Sequence, residues 1–132
     1  MSLLRLLVAA LASAAGALPA LAQDPELSPQ YAACMEKAGG VTLPMIECIV
    51  AEHGRQDRRL NAAFQALVSD LTPARRKQLQ SAQRLWIQYR DANCDFYHDP
   101  DGGSLARVAA NACHLRMTAL RAQELVNLKP IR

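Results

Sequence analysis

Apolar residues recur every three or four positions through most of this chain, and nowhere do they alternate with period two. Ile46, Ile49, Val50, His53, Leu60, Phe64, Leu67, Val68 and Leu71 trace one such face, which predicts a long helix ending near Asp70. Thr42 stands where an N-cap is wanted, and Pro44 suits a first helical turn, where an amide proton is not needed. Gly54 lies inside this helix and is a candidate weak point or kink. Upstream, Gly39-Gly40 closes a short helix over Ser28 to Ala38 that carries Cys34. Downstream, Thr72-Pro73 reads as the cap and first residue of a third helix, with Leu79, Ala82, Trp86, Tyr89, Asn93 and Phe96 as its inner face. His98-Asp99-Pro100-Asp101-Gly102-Gly103 is turn chemistry, after which Ser104 is placed to cap a last helix. Leu105, Val108, Ala112, Leu115, Ala119, Ala122 and Val126 form that helix's stripe, and Pro130 bars its extension. The expected fold is all-α, a small antiparallel bundle of three to four helices.

The N-terminus follows a different pattern. Residues 1–22 hold one cation, Arg5, and no acid, with an apolar run from Leu6 to Leu18 and then Ala20-Leu21-Ala22. That is the charged, apolar and small-residue order of a secretory signal, broken by Gly16 and Pro19 and too short to span a bilayer comfortably. Cleavage is expected after Ala22, leaving residues 23–132 as a single exported domain, periplasmic or secreted. No cysteine follows the cleavage point to take a lipid anchor, so no stable membrane insertion is expected once the signal is removed.

Composition then narrows the function classes. The chain has 132 residues and a formal charge of +3, and hydrophobic residues make up 51%. Without the first 22 residues the charge falls to +2 and the hydrophobic share to about 45%, ordinary for a globular domain. Large catalytic barrels and two-domain dinucleotide folds do not fit this length. The charge is too small and too evenly spread for a nucleic-acid footprint, so no nucleic-acid partner is expected. Arg55, Arg58, Arg59 and Arg75, Arg76, Lys77 are local cationic clusters without an aromatic platform, and read first as solvated helix faces.

All four cysteines, Cys34, Cys48, Cys94 and Cys113, lie in the exported part, which implies disulfides. Of three pairings, the local one is expected, Cys34 with Cys48 and Cys94 with Cys113, because each bridge then joins helices that a short loop already makes neighbours. A zinc site from Cys94, His98, Cys113 and His114 fits poorly, since adjacent helical residues point about 100° apart. No metal and no cofactor are expected. No serine sits in a nucleophile motif, and the acids Glu47 with Glu52 and Asp91 with Asp95 read as solvated helix faces. No catalytic residue is assigned and the chain is read as a non-enzyme; a deep pocket holding Arg90, Glu47 and a histidine would reverse that.

The most distinctive segment is Gln83-Arg84-Leu85-Trp86-Ile87-Gln88-Tyr89-Arg90-Asp91-Ala92-Asn93-Cys94. Gln83, Trp86 and Arg90 share one helix face. Arg90 is expected to lay its stem on the core and pair with Asp57 or Glu47, with Asp57 and Asn61 as a facing polar strip. Glu47, Asp57, Asn61, Gln83, Trp86 and Arg90 are thus the candidate structural polar network. The acids before and in the turn, Asp91, Asp95, Asp99 and Asp101, form a local patch for a basic partner, with Asp95, Asp99, Asp101 and Ser104 as the candidate contact.

Taken in order, Cys34, Thr42, Ile46-Glu47-Cys48, Asp57-x-x-Leu60-Asn61-x-x-Phe64 (where tyrosine is more usual), Leu79-x-x-Ala82-Gln83-Arg84-x-Trp86-x-x-Tyr89-Arg90-Asp91-Ala92-x-Cys94, Gly102-Gly103-Ser104, Cys113, Thr118, Arg121 and Leu125 resemble the lysozyme inhibitor LprI-like family of small exported bacterial proteins. The resemblance spans about residues 31–126. It implies a helical, disulfide-stapled envelope protein whose partner is a protein, with lysozyme inhibition as the inherited expectation. The alternative is an envelope-maintenance or adaptor protein with no lysozyme activity. The oligomeric state is left open by these residues.

Overall fold

A computed structural model describes residues 24–128; the expected signal segment and Pro130 lie outside the described residues. Four helices follow one another, α1 Pro29–Ala38, α2 Thr42–Ser69, α3 Pro73–Phe96 and α4 Gly103–Asn127, with no strand among the described residues. The all-α bundle is therefore as the periodicity predicts. Helices α2 and α4 form the main packing pair, with α1 laid on α2 and α3 on α4.

Most helix ends form for the expected local reasons. The Ser28 hydroxyl accepts from the Tyr31 N–H and starts α1, with Pro29 in the first turn. Gly39, at φ 57°, ends it in the left-handed conformation that glycine adopts without strain. Thr72 and Pro73 open α3 as cap and first residue. Two boundaries differ from expectation. Val41 is the N-cap of α2, so Thr42 is already helical. Gly102 caps α4 without a side-chain bond, so Ser104 lies inside the first turn and does not cap it. Helix α2 runs through Gly54 unbroken.

The two disulfides are Cys34–Cys48, tying α1 to α2, and Cys94–Cys113, tying α3 to α4. Leu60 and Leu67 of α2 meet Ala122 and Leu125 of α4 in the core, and Phe64, Leu71, Leu79 and Trp86 pack around them. The small α4 residues Ala106, Ala110, Ala119 and Ala122 let α2 and α4 approach closely.

The rotation of α3 differs most from the predicted pattern. Its inner face is Leu79, Gln83, Trp86, Arg90 and Cys94, while Ala82, Tyr89 and Phe96 point to solvent, Phe96 at 84% exposure. The bridge at Cys94 and the polar partners of Gln83 and Arg90 on α4 set this rotation against the apolar stripe. At the ends of the predicted α4 stripe, Leu105 and Val126 are likewise exposed.

Candidate functional site

Two buried polar arrangements and one exposed tip stand out. The first centres on Glu52, a fully buried carboxylate of α2. Its Oε1 accepts from the Ser28 N–H at 2.9 Å and from Gln56 Nε2 at 2.9 Å. Its Oε2 accepts from the Ser28 hydroxyl and from Arg55 Nε, both at 2.6 Å. Burial alone pushes this carboxyl up. The donors of Ser28, Gln56 and Arg55 outweigh that effect and hold it down at about 2. Burial, aided by the Glu52 charge, pushes the Tyr31 phenol up. Gln56 also donates to the Glu26 carbonyl, so the segment entering α1 is strapped to α2 by its backbone.

The second arrangement is a seam between α2, α3 and α4. Fully buried Thr118 of α4 stands 3.1 Å from His53 Nε2 and accepts from Arg90 Nη1 at 3.4 Å. Arg90 can only donate, and the Thr118 oxygen has a second lone pair and one proton, so it partners His53 Nε2 in either neutral tautomer. Burial, then Arg90 and His114, push His53 below its ordinary pKa, against the opposing pull of Asp57 and Asp91. Trp86 is flanked by two guanidinium groups, Arg90 at 5.1 Å and Arg121 at 5.9 Å from its ring centre. Arg121 donates to buried Gln83 at 3.0 Å and pairs with Glu124 at 2.7 Å. Thr118→Val removes the shared hydroxyl at constant shape and is expected to cost about 1–3 kcal/mol, and more than Thr118→Ser, which keeps the hydroxyl and loses a buried methyl worth about 1 kcal/mol. Urea unfolding of the three proteins checks it, and equal stabilities would sink the assignment.

The third feature is the α3–α4 tip. Asp95, Asp99, Asp101 and Ser104 are all exposed there, just beyond the Cys94–Cys113 bridge. Asp99 Oδ1 accepts from the Asp101 N–H at 2.9 Å. Among the described residues, none of these three acids has a cation within 4.0 Å.

The candidate network thus divides. Gln83, Trp86 and Arg90 line one face, as their spacing requires. Arg90 pairs with its neighbour Asp91 at 2.8 Å, not with Asp57 or Glu47. Glu47 is exposed on α2, and Asp57 and Asn61 bond each other at 3.1 Å away from Arg90. Glu52, read as a solvated partner of Glu47, is instead buried. The spacing of Ile49, Glu52, Gln56, Leu60 and Leu67 was the available signal, because two polar residues there continue a buried stripe at helical intervals. Cys94 and Cys113 are joined to each other and so are not available to zinc. A pocket of about 210 Å³ beside the seam, lined by Ile49, Val50, His53, Asn111 and His114, includes neither Arg90 nor Glu47. No described helix is long and apolar enough to cross a membrane.

No curated protein and no solved structure matches the chain. One family model, described as lysozyme inhibitor LprI, matches residues 34–125, from the first cysteine of the α1–α2 bridge to the last buried leucine of α4. That span takes in both disulfides, the Trp86 seam and the acidic tip, and with most of the sequence matched the chain belongs to the lysozyme inhibitor LprI family.

Proposed function

We infer that this is an exported protein, periplasmic or secreted after loss of residues 1–22, that binds and inhibits a lysozyme through its α3–α4 tip. Family membership carries the reading. The tip supports it physically. Asp95, Asp99 and Asp101 carry charge that no internal ion pair consumes, next to the 73% exposed Leu105. A local acidic patch steers a basic enzyme even when the protein as a whole is slightly cationic, since surface charges act over about a Debye length, roughly 10 Å at moderate salt.

The adaptor alternative drew on the cationic clusters. Arg55 is paired with Glu52, while Arg59, Arg75 and Arg76 donate to the neutral groups of Gln123, Gln78 and Leu71 and keep their charge. Family membership is what favours the inhibitor reading.

The test is turnover of a panel of lysozymes with the oxidised, mature protein added. Inhibition is expected, and Asp99→Lys with Asp101→Lys is expected to weaken it by about tenfold or more at low salt. No loss of turnover at large molar excess across the panel would overturn the reading.

A further inference from the structure

Three sulfur atoms meet where α3 is tied to α4. Met117 Sδ lies 3.7 Å from Cys94 Sγ and 3.9 Å from Cys113 Sγ, almost equidistant from the two. Met117 follows Cys113 by one helical turn, so its side chain leans back over the bridge. Asn93 Nδ2 approaches two of the three sulfurs, at 3.5 Å from Cys113 Sγ and 3.4 Å from Met117 Sδ.

These distances fit a metal ion better than they fit packing alone. Metal–thiolate bonds are about 2.3 Å long, so three sulfurs spread at about 120° around one ion stand about 4 Å apart. Two edges of that triangle are already in place. The third, from Cys94 to Cys113, is closed by the disulfide bond and opens when the pair is a dithiol. With the two Cα atoms 5.4 Å apart, rotation about each Cα–Cβ bond parts the thiolates without moving either helix.

The donor set also selects the ion. Two thiolates and a thioether are soft ligands and favour Cu(I), whereas a structural zinc site takes four ligands from thiolate, imidazole and carboxylate. Among the described residues no group of three His, Cys, Asp or Glu is placed to hold such a metal. Access is from the Cys113 side. Cys94 is fully buried, but half-buried Cys113 and Met117 line a cavity of about 260 Å³ together with Asn93 and Arg116. Two thiolates on one Cu(I) leave a net negative charge, and the Arg116 guanidinium and the Asn93 N–H are the groups beside it that offset that charge.

We propose that the dithiol form of this chain binds Cu(I) between Cys94, Cys113 and Met117, with Asn93 donating to the sulfurs. Binding releases the two thiol protons and transfers no electron. A chain exported as inferred above is a dithiol until its bridges close, so Cu(I) competes there with oxidation and ties α3 to α4 in place of the disulfide. The site stands whether or not lysozyme is the partner.

The mature chain carrying Cys34→Ser and Cys48→Ser, reduced with dithiothreitol and then freed of it under nitrogen, isolates the site. Titration with Cu(I) against a chromogenic chelator is expected to show one bound ion, and X-ray absorption three sulfur neighbours at about 2.3 Å. Met117→Leu keeps the volume; it is expected to leave two sulfur neighbours and to weaken binding about tenfold or more. Circular dichroism reports whether the serine variant keeps its helices. Should it not, the same exchange at Met117 is made in the fully reduced four-cysteine chain, where one sulfur neighbour is expected to be lost. Absence of bound Cu(I), two sulfur neighbours before the exchange, or equal affinity after it would overturn the proposal.

Discussion

Glu52→Ala is expected to lower the unfolding free energy by about 3–5 kcal/mol. The carboxylate has no exposed surface and accepts from four donors. Removing it leaves the Ser28 N–H and hydroxyl, Gln56 and Arg55 facing a cavity, and releases the strap that holds the start of α1 on α2. The same group makes stability depend on pH. Its folded pKa of about 2 lies below the ordinary 4.5, so its contribution is complete above about pH 5 and is lost as pH falls towards 2. The shift corresponds to about 3 kcal/mol. His53 acts in the same direction at higher pH. Its folded pKa lies below 6.5, so its contribution is complete above that value and declines as pH falls through it, when the unfolded chain takes up a proton that the folded one refuses. Urea unfolding from pH 7 to pH 3 checks both. Glu52→Gln is expected to flatten the lower limb alone, and an unchanged limb would show that Glu52 is not the responsible group.

Replacing Cys94 and Cys113 by serine is expected to cost about 3 kcal/mol in the chain-entropy account. Its local consequence follows from the packing. Helix α1 keeps the Glu52 strap if its own bridge is lost, whereas the end of α3 keeps the weaker contact of Asn93 Nδ2 with Met117 Sδ at 3.4 Å. Leu79 and Trp86 hold the first half of α3 to the core, and Cys94 is the one fully buried side chain in its last turns. Amide exchange is therefore expected to accelerate most from Arg90 to Phe96, with α2 and the first half of α4 less affected. Removing Cys34 and Cys48 should cost a similar total, because the two loops are of similar length, at separations of 14 and 19 residues. Uniform acceleration in the first variant would contradict this division of roles.

Much of this architecture was legible in the chain. Helix ends marked by Ser28, Gly39 and Thr72-Pro73 depend on contacts within a few residues, so local chemistry specifies them. The disulfide pairs were legible because short connections leave few neighbours for each cysteine. The tip was legible as turn chemistry rich in acid. Less visible were the inward positions of Glu52 and Gln56, the outward stripe of α3, and the bond from Arg90 to Thr118. Each depends on an element distant in sequence. Glu52 looks like a surface acid until Ser28, 24 residues away, supplies two donors. Thr118 becomes a shared hydrogen-bond partner only when α4 is laid between His53 and Arg90.

The sequence by itself determined the helices, their order and the staples between neighbours, since these follow from periodicity, caps and spacing along one chain. Tertiary structure alone decided how each helix is turned. For α3 the apolar pattern favoured one face, yet the bridge to Cys113 and the hydrogen bonds of Gln83 and Arg90 to α4 selected another. Polar groups that find partners across an interface lose little on burial, so they can sit where hydrophobicity alone would place a leucine, and the displaced apolar stripe is left facing outward.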